Sequence, residues 1–545
     1  MCIAIGYNRN LQVTNTTERS TFQVNKRDHK IYLRDKQNLD SRLVRKQYED
    51  QPDSMFKDAN IHYQIAERTR AIGFGGIGAL HRLVCKLGLD REINKNIVLL
   101  KVHVPYWESD HVLNIAYNVL TGGTCLEDIE RLRNDETYLN ALDAERIPDP
   151  TTAGDFLRRF EDETWIFALQ ETINETRAKV WALQDSSFRK EAVIDADGTI
   201  AGTTGECKEG MDIAYNGIWG YAPLIVTLAN TNEVLYLINR PGSRPSNDGA
   251  AAWMDLAIDR VTPVFKKVWL RGDTDFSLTH NFDRWDERVG FVFGYDAKPN
   301  LVAMADALPE RRWKALERPA RYEVKTEERE RPENVKEKVV KEREFKNIRL
   351  RSEQVAEFDY CPTHCSKTYR MVVVRKNLTV EKGENRLFDD VRYFFYITND
   401  RKMTAQEIVF FANDRCNQEN VIGQLKSGVN ALRMLSDGLM SNWAYMVIAA
   451  LAWNLKAWYG LVTLEPAARR DILRMEFKRF LGSFVQIPCQ IVSTGRRLVY
   501  RILTYERVRE LAETHEKSQL GRIFFLVLIR FFIFNLNKVH RPQHS

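Results

Sequence analysis

Residues 191–199 read EAVIDADGT. Branched and small apolar residues run through Asp195 to Asp197 and stop at Gly-Thr, the composition of a short buried strand ending in a carboxylate. The next stretch, YAPLIVTLANTNEVLYLINRP (221–241), divides into two apolar runs around a polar turn at Asn230 to Glu233, which predicts an antiparallel hairpin. NDGAAAWMDLAIDRV (247–261) has helical spacing, and KVWLRGDTDF (267–276) is a second buried strand that ends in an aspartate. A helix at 278–287 then leads into the strand GFVFGYD (290–296). The order strand, strand, strand, helix, strand, helix, strand predicts a mixed α/β layer.

The alternation breaks at 297–385, an insertion that contains the doubly charged run KTEERERPENVKEKVVKEREFKNIRLRSE (325–353) and the apolar YRMVVVRKNLTV (369–380). The charge run reads first as a solvated face. After it come a strand, RYFFYITND (392–400), and one long helix, TAQEIVFFANDRCNQENVIGQLKSG (404–428). At about 100° per residue, Arg415, Glu419 and Lys426 share a face of that helix, and Gly423 leaves it bare in between. Ordinary surface charge pairs would give part of this pattern.

Asp197 and Asp273 end two strands, and the helix offers Glu419. Each aspartate alone is more often a turn or strand cap. Brought to one sheet edge, three carboxylates repel unless cations lie between them, and hard oxygen ligands suit Mg²⁺ or Mn²⁺. Two such ions about 4 Å apart would activate a water or hydroxyl and stabilise the leaving oxygen of a phosphoryl displacement.

Composition is permissive. In 545 residues, Lys plus Arg total 80 and Asp plus Glu 74, a net charge of +6, so a polyanionic partner is allowed without being demanded. The eight cysteines are scattered, as in reduced thiols, and only CPTHC (361–365) looks like a fragment of a metal site. MCIAIGYNRNLQV (1–13) lacks the features of a signal peptide, so the expected location is cytoplasmic. GLMSNWAYMVIAALAWNL (438–455) approaches spanning length but carries Asn442 and Asn454 and runs into Lys456, which favours a buried helix and no membrane partner. The tail IFFLVLIRFFIFNL (523–536) is short and has Arg530 in its middle.

Six segments are expected: a polar basic arm (1–65), with NKRDHKIYLRDKQ and RLVRKQYED; a helical DNA-binding domain (66–188); the first part of the core (189–296); the insertion (297–385); the second part of the core with the glutamate helix (386–460); and a helical C-terminal region with the tail (461–545). In IPDPTTAGDFLRRF (147–160), Thr151 or Thr152 is the expected helix N-cap.

Taken in order, the strand-end DGT, the LRGDTDF strand and the Arg-x3-Glu-x6-Lys helix resemble the RNase H-like core of DDE transposases. The pattern looks like the insertion-sequence 4 superfamily, closest to its insertion-sequence 1380 family. LTGGTCLEDIERLRND (120–135), IPDPTTAGDFLRRF, GQLKSGVNALRM (423–434) and NWAYMVIAALAWNL (442–455) extend the resemblance over roughly 70–505. The implied architecture is α/β: an RNase H-like mixed-sheet core with a β-rich insertion, preceded by an α-helical domain and followed by a helical C-terminal region. The resemblance implies that Asp197, Asp273 and Glu419 are catalytic and hold two Mg²⁺ or Mn²⁺ ions, and that the insertion helps to hold transposon-end DNA.

The implied reaction is hydrolytic cleavage at the element's ends, followed by attack of the freed 3′ hydroxyl on target DNA. In this superfamily excision commonly passes through a hairpin on the transposon end, with a flipped base held against aromatic residues; Trp313 in ERRWKAL (310–316) is the candidate here. Arg415 and Lys426 would reach phosphates of the double-stranded DNA partner. In the superfamily pattern a tyrosine stands three residues before the arginine; here the position is Ala412, with Phe411 beside it. Asp195 and Asp275 rank as supporting ligands below the triad. At least a homodimer, associated with the nucleoid, is expected because two DNA ends must be handled together. A nuclease without strand transfer and a degenerate DNA-binding protein are the competing readings.

Overall fold

The computed structural model describes residues 37, 70–103, 105–318, 349–381, 384–463, 466–494 and 497–503. Nearly all of the basic arm, most of the 325–353 charge run and all of the apolar tail lie outside these. The chain forms two compact units, 157–454 and 1–156 with 455–545.

Among the described residues, the unit 157–454 is built on a nine-stranded sheet. Its strands are β1 (Glu191–Gly198), β2 (Leu224–Leu228), β3 (Glu233–Ile238), β4 (Lys267–Gly272), β5 (Gly290–Tyr295), β6 (Lys314–Ala315), β7 (Arg349–Tyr360), β8 (Tyr369–Glu381) and β9 (Glu384–Thr398). The order across the sheet is β6-β7-β8-β9-β5-β4-β1-β2-β3. β1, β4 and β5 are parallel neighbours, while β2 pairs antiparallel with β1 and β3 antiparallel with β2. The apolar runs of the sequence therefore become the strands they predict, buried on both faces because helices cover them.

The insertion strands do not form a separate sheet. β9 pairs antiparallel with β5, from Phe395 opposite Tyr295 to Thr398 opposite Val292, so β7–β9 extend the same ladder. The boundary expected at 385–386 falls inside β9.

Among the described residues the α-helices of this unit include α1 (Glu163–Ala182), α2 (Ala250–Val261), α3 (Phe282–Asp286), α4 (Pro299–Asp306), α5 (Ala405–Asn413), α6 (Cys416–Ser427) and α7 (Leu439–Thr463), whose residues from 455 onward belong to the other unit. α5 starts at a Thr404–Glu407 capping box and buries Ile408, Val409 and Ala412 against Val193, Trp269, Val292, Val372 and Val374. The single helix expected over 404–428 is two helices. Between them the turn tightens to i→i+3 bonds, with Arg415 N donating to Ala412 O at 3.3 Å and Gln418 N to Arg415 O at 2.8 Å.

Side chains from α1 and α7 close the outer edge of β3. Asn454 Oδ1 accepts from Val234 N at 2.9 Å and Gln170 Oε1 accepts from Leu237 N at 2.8 Å. Asn174 Nδ2 and Trp443 Nε1 donate to the carbonyls of Leu235 and Leu237, at 3.2 and 2.5 Å. The buried Arg177–Glu233 ion pair, at 3.0 Å, pins the same edge. Asn442 is likewise satisfied, bonding both N and O of Ser436 at 2.9 Å. The two asparagines that argued against a membrane span thus have partners, and among the described residues no helix is long and apolar enough to cross a membrane.

The other unit holds helices Ile77–Leu87, Leu89–Asn96, Glu108–Leu120, Ile129–Arg133 and Glu136–Ala141, with most of Pro150–Arg158. The last begins at Pro150, a residue suited to the first helical position. Asp149, not Thr151 or Thr152, caps it, its Oδ1 accepting from Thr152 N at 2.9 Å. The C-terminal region expected to be helical is only partly so. Pro466–Arg474 and Phe477–Phe480 are helices, but Cys489–Thr494 and Arg497–Ile502 form a hairpin that pairs with Ala71–Ile72. Its alternation of β-branched and polar residues favours strands.

Candidate active site

The C-terminal ends of β1 and β4 are adjacent because these strands are parallel neighbours. Asp197 is the penultimate residue of β1. Asp273 follows β4 directly, and its Oδ1 accepts from Asp275 N at 3.0 Å to cap the turn Thr274–Phe276. The turn lies tight against β5, since a Cβ on Gly294 would stand 3.0 Å from Thr274 N.

Arg415 joins the two strand ends to the glutamate helix. Its Nη1 lies 3.0 Å from Asp197 Oδ2 and 3.6 Å from Asp273 Oδ2, and its Nη2 lies 3.9 Å from Glu419 Oε1. The structure therefore brings the three expected carboxylates around one guanidinium. Side-chain exposure rises from 14% at Asp197 through 33% at Asp273 to 62% at Glu419, so the site opens toward the helix.

One guanidinium does not balance three carboxylates. Burial pushes the Asp197 carboxyl up to about 7; Arg415 opposes the shift, while Asp273 and Glu419 add to it. Burial also raises Asp273, again against Arg415. Among the described residues no three His, Cys, Asp or Glu side chains form a ready-made metal cluster. Around the triad, the guanidinium stands among the carboxylates.

The supporting ligands expected from sequence fare differently. Asp195 is buried, and Arg271 takes both its oxygens, Nε to Oδ1 at 2.7 Å and Nη2 to Oδ2 at 2.8 Å. Both of its oxygens are thus taken up by the Arg271 guanidinium. Asp275 is exposed beside Asp273 and acts on it as a like charge. Trp313 is only 7% exposed, and the guanidinium of Arg375 lies 4.3 Å over its ring. One face of the ring is therefore covered by a cation, and little of the residue is accessible. Ala412 is a core contact under α5, and the adjacent Phe411 ring carries the Arg271 guanidinium 5.0 Å above it.

Sequence reasoning missed Arg271 and Gln418. Gln418 is buried, and its Nε2 donates to Asp195 O at 3.2 Å and Ile225 O at 3.1 Å, tying α6 to β1 and β2. A polar residue on the inward face of α6 was the available signal. Lys426 lies farther along α6 and lines a cleft of about 290 Å³ with Gly198, Thr199, Tyr215, Arg240 and Arg244. Over Gly423 the helix surface is open, as a Cβ there would meet nothing within 4 Å.

The family model described as Transposase DDE domain group 1 matches residues 71–515. The chain belongs to this family of DDE transposases. The transposase has no match among curated proteins. Of solved structures, a cryo-EM structure of the piggyBac transposase synaptic complex with hairpin DNA is similar over 87% of this chain and 88% of that chain, at 11% identity and a TM-score of 0.36.

Proposed function

We propose that this transposase binds the terminal inverted repeats of an insertion sequence, cleaves at its ends and joins the 3′ hydroxyls to target DNA. The observation that carries the reading is Arg415, whose guanidinium meets Asp197, Asp273 and Glu419 at one edge of the sheet. The strand arrangement, with β3, β2 and β1 antiparallel and β1, β4 and β5 parallel, supports an RNase H-like core. The resemblance to the insertion-sequence 4 superfamily, and within it the 1380 family, belongs to the same reading.

The carboxylate donor set fits hard divalent cations, and a buried Asp197 held above the ordinary carboxylate range is short of positive charge. Asp197, Asp273 and Glu419 would hold two Mg²⁺ or Mn²⁺ ions. Bound there, they would activate the attacking water or 3′ hydroxyl and stabilise the leaving oxygen. The chain's own residues do the rest. Arg415 offsets part of the repulsion among the carboxylates, and Gln418 holds α6 against the strands that carry them. Lys426 supplies a cation for the strand's phosphates, and the bare surface at Gly423 gives the DNA backbone room. Two ends joined in one event imply at least a dimer on double-stranded DNA.

The test is Mg²⁺-dependent cleavage of a duplex carrying the element's terminal repeat, together with joining of labelled ends to a plasmid. Wild type should cut and join, while Glu419→Gln should bind but not cut. Cutting without joining would make the protein a nuclease, and binding without cutting a degenerate DNA-binding protein. Equal cutting by wild type and Glu419→Gln would remove Glu419 from the site.

A further inference from the structure

Arg415 lies at the break between α5 and α6, and its backbone is held on both sides. Its N donates to Ala412 O at 3.3 Å and its O accepts from Gln418 N at 2.8 Å. The guanidinium beyond is held more loosely. Among the described residues its hydrogen bond runs from Nη1 to Asp197 Oδ2 at 3.0 Å, while Asp273 Oδ2 at 3.6 Å and Glu419 Oε1 at 3.9 Å are ion pairs at longer range. The side chain is 20% exposed, and the site opens further at Glu419.

Nη1 lies within reach of the two oxygens, Asp197 Oδ2 and Asp273 Oδ2, that a divalent ion joining the strand ends would need. Such an ion sits about 2.1 Å from each ligand oxygen. Ion and guanidinium would then be two cations crowded on one pair of oxygens with no anion between them, so each weakens the hold of the other. A phosphate changes the balance, because a guanidinium makes a two-point, charge-assisted contact with it. Arg415, Glu419 and Gly423 stand on successive turns of one helix face. A DNA strand along that face, past Glu419 and the open surface at Gly423, would bring a phosphate to a long side chain whose backbone need not move.

We propose that Arg415 is a stand-in cation: in the DNA-free chain its guanidinium competes with the metal for Asp197 and Asp273, and a DNA phosphate draws it away, so that metal and DNA bind with positive coupling. The inference rests on the proposed function for the identity of both ligands. Competition weakens metal binding to the free chain without abolishing it. Linkage makes the coupling reciprocal, so the metal tightens DNA binding by the same factor.

The test reads metal binding rather than cutting. The full chain is titrated with Mn²⁺ and the free ion is followed by its EPR signal, first alone and then with a terminal-repeat duplex already cut at the element end. Without DNA, Arg415→Gln should bind Mn²⁺ about tenfold more tightly than wild type. Arg415→Lys, which keeps a cation at the break and covers the case in which the glutamine variant does not fold, should fall between the two. Lys426→Gln removes a positive charge farther along the same helix and should match wild type. The duplex should tighten Mn²⁺ about tenfold more in wild type than in Arg415→Gln. Equal affinities of wild type and Arg415→Gln without DNA overturn the inference, and so does weaker binding by the variant, which would make Arg415 a brace for the site. An advantage of Arg415→Gln that persists in full on the duplex also overturns it, as a general effect of lost charge. Asp197→Asn separates the two readings. Mn²⁺ binding that needs Asp197 and ignores Arg415 removes the stand-in role and leaves the proposed activity standing, whereas binding unchanged in Asp197→Asn removes the metal site and both readings with it.

Discussion

Gln418 Nε2 stands 3.2 Å from the carbonyl oxygen of Asp195, so the helix that carries Glu419 is hydrogen-bonded to the strand that carries Asp197. A second bond, to Ile225 O at 3.1 Å, reaches the neighbouring strand. Both acceptors are carbonyls of paired sheet residues, and Gln418→Ala removes both side-chain bonds. Gln418→Ala should lower stability by about 1–3 kcal/mol in urea unfolding. Cleavage of a terminal-repeat duplex should fall further than that loss accounts for, while duplex binding persists. Normal cleavage in a destabilised variant would reduce Gln418 to a packing residue.

The buried Asp195–Arg271 pair should behave asymmetrically. Asp195 has burial pushing its carboxyl upward and Arg271 holding it down. Arg271→Met strands that carboxylate in the core and should cost about 3–5 kcal/mol. Asp195→Asn combined with Arg271→Met removes the stranded charge and should recover a good part of this loss. Denaturant midpoints for the single and double variants decide the matter, and strict additivity would mean that the two side chains do not depend on each other.

Asp197 gives a pH dependence of definite sign. Its carboxyl is raised from 3.8 to about 7, so the metal-free folded state binds a proton that the unfolded chain has released. The stability from this group is fully present below the unfolded value and is lost as pH rises through the window to about 7. Asp197→Asn should therefore be more stable than metal-free wild type at neutral pH, by about 1–3 kcal/mol, with the gain vanishing in acid. Added Mg²⁺ should raise the wild-type Tm at neutral pH and leave that of Asp197→Asn nearly unchanged. Thermal unfolding with EDTA or Mg²⁺ on both sides of the window reads all three effects.

The core strands were legible because burial on both faces leaves uninterrupted runs such as LIVTL and FVF, and a run that ends in Asp-Gly or Gly-Asp marks a strand end. That Asp197, Asp273 and Glu419 would lie close together was legible in part, as strand ends and a charged helix face are local signals, whereas the role given to them came from the resemblance. What escaped depends on contacts between distant segments. The break at Asp414–Arg415 keeps helical dihedrals, with Arg415 at φ −55° and ψ −24°, so periodicity passes through it unmarked. Arg271 looks like any strand residue until Asp195 lies beside it. Trp313 was a candidate because the resemblance implies a base held against aromatic residues, and no local signal showed that Arg375, sixty-odd positions away along the chain, lies over one face of its ring. The cleft draws on residues from 198 to 246 and on Lys426, a set that no window along the chain contains.

The side chains that seal β3 have a bearing on assembly. Strand addition is the simplest route by which two β-rich proteins join, and it needs an open row of amides. On this molecule Asn454, Gln170, Asn174 and Trp443 occupy that row along β3, and at the far side of the parallel strands β9 occupies the row along β5. Copies of the chain therefore cannot merge their sheets through the β3 edge; at the sheet's other edge, among the described residues, the two-residue β6 covers β7 only at Val355 and Gln354. Pairing of copies by strand addition is left to that second edge.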